Sequence, residues 1–402
     1  MITRLSPSAA GLLLLAGACA PAATGSRTPA APAAPMAAVT PAAPLDRTRM
    51  PETGDAPSVD FPTIERYTLS NGLAVWQVEK TGLPLVNIQL LLNAGAIAEP
   101  PELPGLASLT AAMLTTGTTH RTATEIADEI EFLAVGLSAN AGRETAVINL
   151  NTLTRNLEPA LDVFTDVILN PAFDEREWDR VKADRLASIA QSRDAASVLA
   201  SEEFSRRIFG ATHPYGRPLQ GTRISVEGMD VSTLKSFHRS WYQPTNATLI
   251  IVGDISAARM RPLLERDLAA WRPGTVPGQP VPAEPAPQPA TRIYLIDRPG
   301  AAQSEIRIGH LGIPRNHPDY LPILVMNAIL GGQFSSRINL NLREDKGYTY
   351  GASSAFQTGK YLGPFVAGGG VQTAVTRESI IEFMNELEGI RGEHPVTAEE
   401  LE

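Results

Sequence analysis

A chain of 402 residues, 43% hydrophobic and 19% charged, has an ordinary globular composition and enough length for at least two domains with their own cores. Its formal net charge of −9, with no Lys/Arg-rich run, excludes a nucleic-acid footprint. The single cysteine, Cys19, excludes an intrachain disulfide and a cysteine-based zinc site, which leaves histidines and carboxylates as metal ligands.

At the N-terminus, Arg4, the apolar stretch Ala9 to Leu15 and the small residues Ala16, Gly17 and Ala18 before Cys19 form a secretory signal pattern. The apolar stretch is too short to span a bilayer. Two readings stay open. In one, Cys19 is lipidated after cleavage, as in bacterial lipoprotein signals, although Ala16 stands where leucine is usual. In the other, cleavage simply follows an Ala-x-Ala site. Both export the protein, so the expected location is the periplasm, with a membrane tether if Cys19 carries lipid.

Ala and Pro dominate from Ala20 to about Pro57, which reads as an extended tether over 20–60. Folding begins near Phe61. A second Pro-rich stretch, Pro273 to Pro289, marks a linker over 271–291 and divides the rest into domains over 61–270 and 292–402. Each segment opens alike. Val86, Ile88 and Leu90 alternate as a strand before a helix-like run from Leu106 to Leu114; Ile306, Ile308 and His310 alternate before a run from Tyr320 to Leu330. The offset is about 218 residues in both features, which suggests a duplicated α+β unit.

Between these points, Thr122 and Glu125 predict a capping box, and Gly136 a left-handed stop for the helix they open. A long helix is predicted from Asp174 to about Ser192, and Leu249 to Val252 predict a buried strand. No GxxxxGK or GxGxxG occurs, so a nucleotide site has no support.

The run from His213 to Ser256 (HPYGRPLQGTRISVEGMDVSTLKSFHRSWYQPTNATLIIVGDIS) resembles the middle of the pitrilysin/insulinase family, which includes the mitochondrial processing peptidases and their bacterial relatives. Leu330 to Ser353 (LGGQFSSRINLNLREDKGYTYGAS) resembles that family's second-domain signature. The resemblance covers about Phe61 to Glu402. It implies an α+β protein of two similar domains, each an antiparallel sheet backed by helices, forming a clamshell around an extended peptide. The second domain is shorter than the first by roughly 100 residues and reads as truncated.

Active relatives carry HxxEH on a helix. Its histidines hold Zn²⁺, its glutamate is the general base, and a glutamate on a later helix completes the ligands. The matching stretch here is GLASLTAAM. Ser108 stands at the first histidine, Ala111 at the base and Ala112 at the second histidine, and no glutamate lies near Ser188 to supply the third ligand. None of His120, His213, His238, His310, His317 and His394 forms a pair at metal-binding spacing. His213, in HPYG, reads as structural. No metal is therefore expected in this chain.

By resemblance, Arg343 and Tyr350, seven residues apart, match the second-domain donors that hold the substrate carbonyl and stabilise the oxyanion. The alternatives are that Arg343 caps a helix or pairs with Glu344 or Asp345, and that Tyr350 is a core aromatic in a strand with Tyr348. Tyr348 is also the competing donor. The resemblance further implies peptide addition to the first sheet's edge near Asn93, Ala94 and Gly95. The expected function is the non-zinc subunit of an exported heteromeric metalloendopeptidase, inactive alone. It supplies Arg343 and Tyr350 to a partner of the same family carrying HxxEH and zinc, for cleavage of unfolded or small peptides. The alternative is a catalytically inactive peptide-binding or assembly scaffold, like the respiratory-complex core subunits that resemble these peptidases.

Overall fold

The computed structural model describes Gly54 and residues 58–401, except Gln279, Pro287 and Gln288. The signal pattern, Cys19 and most of the tether lie outside the described residues. Phe61–Glu402 is a single compact unit holding two sheets, each with its own apolar core.

The first half runs β1 (Glu65–Thr68), β2 (Ala74–Glu79), β3 (Leu85–Leu92), α1 (Leu106–Met113), α2 (Ala123–Phe132), β4 (Gly136–Ala141), β5 (Ala146–Leu153), α3 (Leu157–Leu169), α4 (Glu175–Ser192), α5 (Ala196–Phe209), α6 (Arg223–Glu227), α7 (Val231–Trp241), β6 (Ala247–Gly253) and α8 (Ala257–Asp267). The strands make one sheet in the order β1-β2-β6-β3-β5-β4. Alternation decides what each face does. Val86, Ile88, Leu90 and Leu92 of β3 point into the core, joined by Ile148 and Leu150 of β5 and Leu249 and Ile251 of β6, while Asn87 and Gln89 face outward. Full burial of each such Leu or Ile contributes about 1.5–3 kcal/mol.

Two local expectations are corrected. The sheet is mixed, because β2 pairs with β6 in parallel, the other pairs being antiparallel. The α2 capping box forms, but the left-handed residue that ends the helix is Ala134 (φ 52°), and Gly136 instead starts β4. The amides of Ala134 and Val135 donate back to Glu131 and Ile130, so the turn closes two residues earlier.

The described residues between 271 and 303 form no helix or strand, and the second half follows: β7 (Gln303–Leu311), α9 (Tyr320–Asn327), α10 (Arg337–Asn339), β8 (Ser353–Phe356), β9 (Pro364–Gln372), α11 (Thr376–Gly389) and α12 (Ala398–Leu401). Both α9 and α10 run on into π-helical turns, Ala328–Gly332 and Leu340–Asp345. The second sheet has the order β7-β9-β8, all antiparallel. It repeats the β3-β5-β4 part of the first sheet, with α9 following β7 as α1 follows β3 and α11 following β9 as α3 follows β5. Among the described residues, β7 has no counterpart of β6 on its other side.

Helix α5 is the seam between the halves. Arg307 Nε of β7 lies 3.3 Å from Ser201 Oγ, and Phe204 packs over Gly309. Glu144 accepts hydrogen bonds from the Tyr215 hydroxyl and, at 2.7 Å, from the Lys360 amide.

Candidate functional site

Helix α1 is buried along most of its length through Leu106, Ala107, Leu109, Ala111 and Met113. Glu99 caps its N-terminus, accepting from the amides of Gly105 (3.1 Å) and Ala107 (2.8 Å). Burial pushes the Glu99 carboxyl up to about 7, although the Ala107 and Gly105 amides and the charges of Arg217 and Arg185 pull the other way.

Packed against α1 is α4, as the resemblance implies. Asp174 caps it, accepting from the amides of Arg176 and Glu177. What α4 delivers to Ser108 is a cation: Arg185 Nη1 donates to Ser108 Oγ at 2.8 Å and to the Gln220 carbonyl at 3.0 Å. Ser188, one turn on, bonds the Gln220 side chain at 3.2 Å. Ser108 Oγ in turn lies within hydrogen-bonding distance of the carbonyls of Gly105 and Leu219.

A zinc ion does not fit this donor set. The three α1 positions offer one hydroxyl and two methyls, and the neighbouring formal charge is a guanidinium that would repel a cation. Among the described residues, no group of three or more His, Cys, Asp or Glu side chains clusters as a metal site would require.

Arg343 and Tyr350 flank the turn out of the second π-helical segment. Leu342 is buried, the Tyr348 amide bonds its carbonyl at 2.8 Å, and Gly347 takes φ +64° to make the bend. Arg343 lies 4.5 Å from the centre of the Phe334 ring and 3.3 Å from Glu344, so the Glu344 pairing forms. That contact is solvated and weak enough to exchange. Tyr350 is not a core aromatic, since it is 90% exposed. It lies outside a strand, beside buried Thr349, whose hydroxyl bonds the Gly351 and Gly370 carbonyls. Tyr348 is half-buried, its carbonyl taken by the Gln372 amide. Of the two candidates, Tyr350 is the more exposed. The contacts of Arg343 are with its own segment and do not bring it to Tyr350.

Asn93, Ala94 and Gly95 do not lie at a sheet edge. They follow β3, which is interior between β6 and β5, and their amides already donate to the carbonyls of Asn246, Leu92 and Glu144. Gly95 is where two backbones meet, since a Cβ there would come within 2.4 Å of Glu144 and Thr145. The edge strand on this side of the sheet is β4, which pairs only with β5. Sequence gives a partial signal for it in the alternation of Leu137, Ala139 and Ala141. His213 is structural: its Nδ1 accepts from the Tyr215 amide at 3.0 Å and its ring stacks on Phe209.

Sequence reasoning missed Glu99, Arg185 and Arg217. Arg185 lies three residues before Ser188, one helical turn, so the helical spacing that places Ser188 near Ser108 also places Arg185 there.

Comparison with known proteins agrees with this architecture. Residues 75–223 match the family model "Insulinase (Peptidase family M16)" and residues 229–402 the model "Peptidase M16 inactive domain". The chain is 25% identical over 339 residues to the "uncharacterized zinc protease YmxG" of Bacillus subtilis, covering 84% of this chain and 81% of that one. A solved structure described as the peptidase M16 inactive domain from Pseudomonas fluorescens superposes with TM-score 0.76 at 28% identity, over 84% of this chain and 81% of that one. A protease from Helicobacter pylori shares the fold, with TM-score 0.77 at 19% identity over 85% and 82% of the two chains. With two models of one family meeting near the start of α7 and together spanning most of the chain, this protein belongs to the insulinase family, peptidase family M16.

Proposed function

We propose that the chain is the zinc-free member of an exported heteromeric metallopeptidase. A partner of the same family, carrying HxxEH and zinc, activates the water, and this chain presents Arg343 and Tyr350 to the peptide carbonyl beside the scissile bond. The observation that carries this reading is the contrast between the halves. The first places Arg185 against Ser108 where a metal ligand would be needed, while the second holds Tyr350 90% exposed on an anchored turn. A phenol and a guanidinium can donate to a developing oxyanion without losing a proton first. Substrates would be extended, unfolded or small peptides, and nucleic acid has no place in the scheme. Periplasmic location, with a lipid tether at Cys19, is part of the proposal; a neighbour of the same fold is titled the periplasmic protease PqqL from Escherichia coli (TM-score 0.67, 18% identity).

The test is turnover of an unstructured peptide by the purified complex of this chain with an HxxEH partner. Arg343→Ala and Tyr350→Phe should each lower kcat/KM by roughly 10²-fold, the scale for removing one oxyanion donor, with the complex still intact on size exclusion. Unchanged turnover in both variants would sink the proposal. It would favour the second reading, a peptide-holding scaffold, which has one observation of its own: β4 has a hydrogen-bonding edge to which a strand can add.

A further inference from the structure

Between α5 of the first half and β7 of the second lies a cleft of about 380 Å³, lined by Arg143, Arg217 and Arg307, by Ser197, Ser201 and Ser205 at four-residue spacing along α5, and by Glu202. That size falls at the lower end of the range of roughly 300–1,000 Å³ for small-ligand sites. Three arginines converge here in a chain whose net charge is −9.

Two of those guanidiniums are satisfied by neutral acceptors. Arg217 is only 7% exposed, yet its Nη1 and Nη2 donate to the carbonyls of Pro100 (3.0 Å) and Ala96 (3.3 Å), and its buried Nε has no hydrogen-bond partner. Arg143 donates to the Tyr215 carbonyl and lies 5.5 Å from the centre of that ring. Glu99, the acid nearest Arg217 in charge, spends its hydrogen bonds on the amides of Gly105 and Ala107. Only Arg307 is paired, with Glu305 at 3.0 Å. The one acid in the lining, Glu202, is an exposed residue of α5 whose carboxyl pKa partial desolvation raises while the Arg193 charge opposes the rise. Arg217 feels the charges of Glu99 and Glu102 but hydrogen-bonds to neither, and a desolvated cation held by neutral acceptors is stabilised further by an anion that brings its own acceptors.

We propose that this cleft binds a carboxylate carried by a peptide, either an acidic side chain or a free C-terminus, with Arg143, Arg217 and Arg307 supplying the charge and the α5 serines the neutral donors. Its peptide context rests on the proposed function; its charge chemistry does not. A guanidinium pair reads a planar carboxylate through two parallel N–H donors, a geometry that an amide of the same size cannot reproduce.

The experiment uses the purified full chain without a partner and three fluorescent peptides of one neutral sequence: one amidated at the C-terminus, one with a free C-terminus, and one amidated with an internal Gln changed to Glu. Fluorescence anisotropy should show at least one carboxylate-bearing peptide binding about tenfold more tightly than the amidated neutral one, the scale of one charge-assisted hydrogen bond. Advantage for the free C-terminus alone assigns the cleft to chain ends, and for the Glu peptide alone to side chains. Arg143→Gln, and separately Ser197→Asp at an exposed cleft position, should abolish the difference while the melting temperature stays within a few degrees of wild type. Equal binding of all three peptides, no binding of any, or a preference that survives both variants overturns the proposal. None of these outcomes bears on whether Arg343 and Tyr350 support turnover in the complex, so the two readings fail separately.

Discussion

Glu99 couples the cap of α1 to pH. Its carboxyl titrates near 7 in the folded chain against about 4.5 for an exposed glutamate. Between those values the folded state keeps a proton that the unfolded state has released, so stability falls as pH rises from about 4.5 to about 7 and is level above. A shift of that size corresponds to on the order of 3 kcal/mol. Glu99→Gln keeps an acceptor for the α1 amides but removes the titration. The expected result is that wild type loses more melting temperature than the variant between pH 5 and pH 8. If wild type instead gains on the variant over that interval, burial does not dominate at this carboxyl. Taking the difference between the two proteins removes His238, whose buried ring is held down at about 4 in both. At this scale the sequence was informative where residue type alone decides, as at Ser108, Ala111 and Ala112, which carry no metal-ligating group. It was silent on Glu99 and Arg217, because burial is set by the whole fold rather than by neighbours in sequence.

Among the elements, α5 and β7 carry a contact between halves, and Gly309 lies in the packed sheet beneath Phe204 of α5. A Cβ at Gly309 would sit 2.0 Å from the Phe365 carbonyl oxygen and 2.8 Å from Phe204 Cζ. Backbone cannot yield cheaply there, so Gly309→Ala is expected to cost about 1–3 kcal/mol, as overpacking does. Thermal melting gives the cost, and limited proteolysis of the segment between Arg272 and Pro289 should speed up as the seam loosens. An unchanged cleavage rate would mean the halves are held elsewhere, with Glu144 and its Tyr215 and Lys360 donors the first place to look. Most elements were legible, since Val86-Ile88-Leu90, the Thr122 cap and the helix read from Asp174 to about Ser192 each announce a local structure that forms. Edge status was not. The resemblance placed strand addition near Asn93 to Gly95, and nothing in sequence says that β6, more than 150 residues later, inserts beside β3. The parallel β2–β6 pair was hidden for the same reason.

For the whole molecule, the expectation is that the isolated chain neither retains zinc at stoichiometric level after dialysis nor hydrolyses an unstructured peptide. Elemental analysis and a peptide-cleavage assay on the chain alone check this. One zinc per chain, or cleavage abolished by a chelator, would contradict both the donor set around Ser108 and the proposed division of labour. The duplication read from the 218-residue offset is visible at this scale as β3-β5-β4 repeated in β7-β9-β8.

Among the described residues that repeat leaves one side of β7 without a strand neighbour, and the preceding segment displays Ile293 at 87% exposure and Leu295 at 89%. A row of unmatched amides and carbonyls beside apolar side chains is adhesive toward any other extended chain, including another copy of the same protein. A polypeptide ending at residue 402 is therefore expected to self-associate through this margin, read as light scattering at high concentration with an unchanged helical circular-dichroism signal.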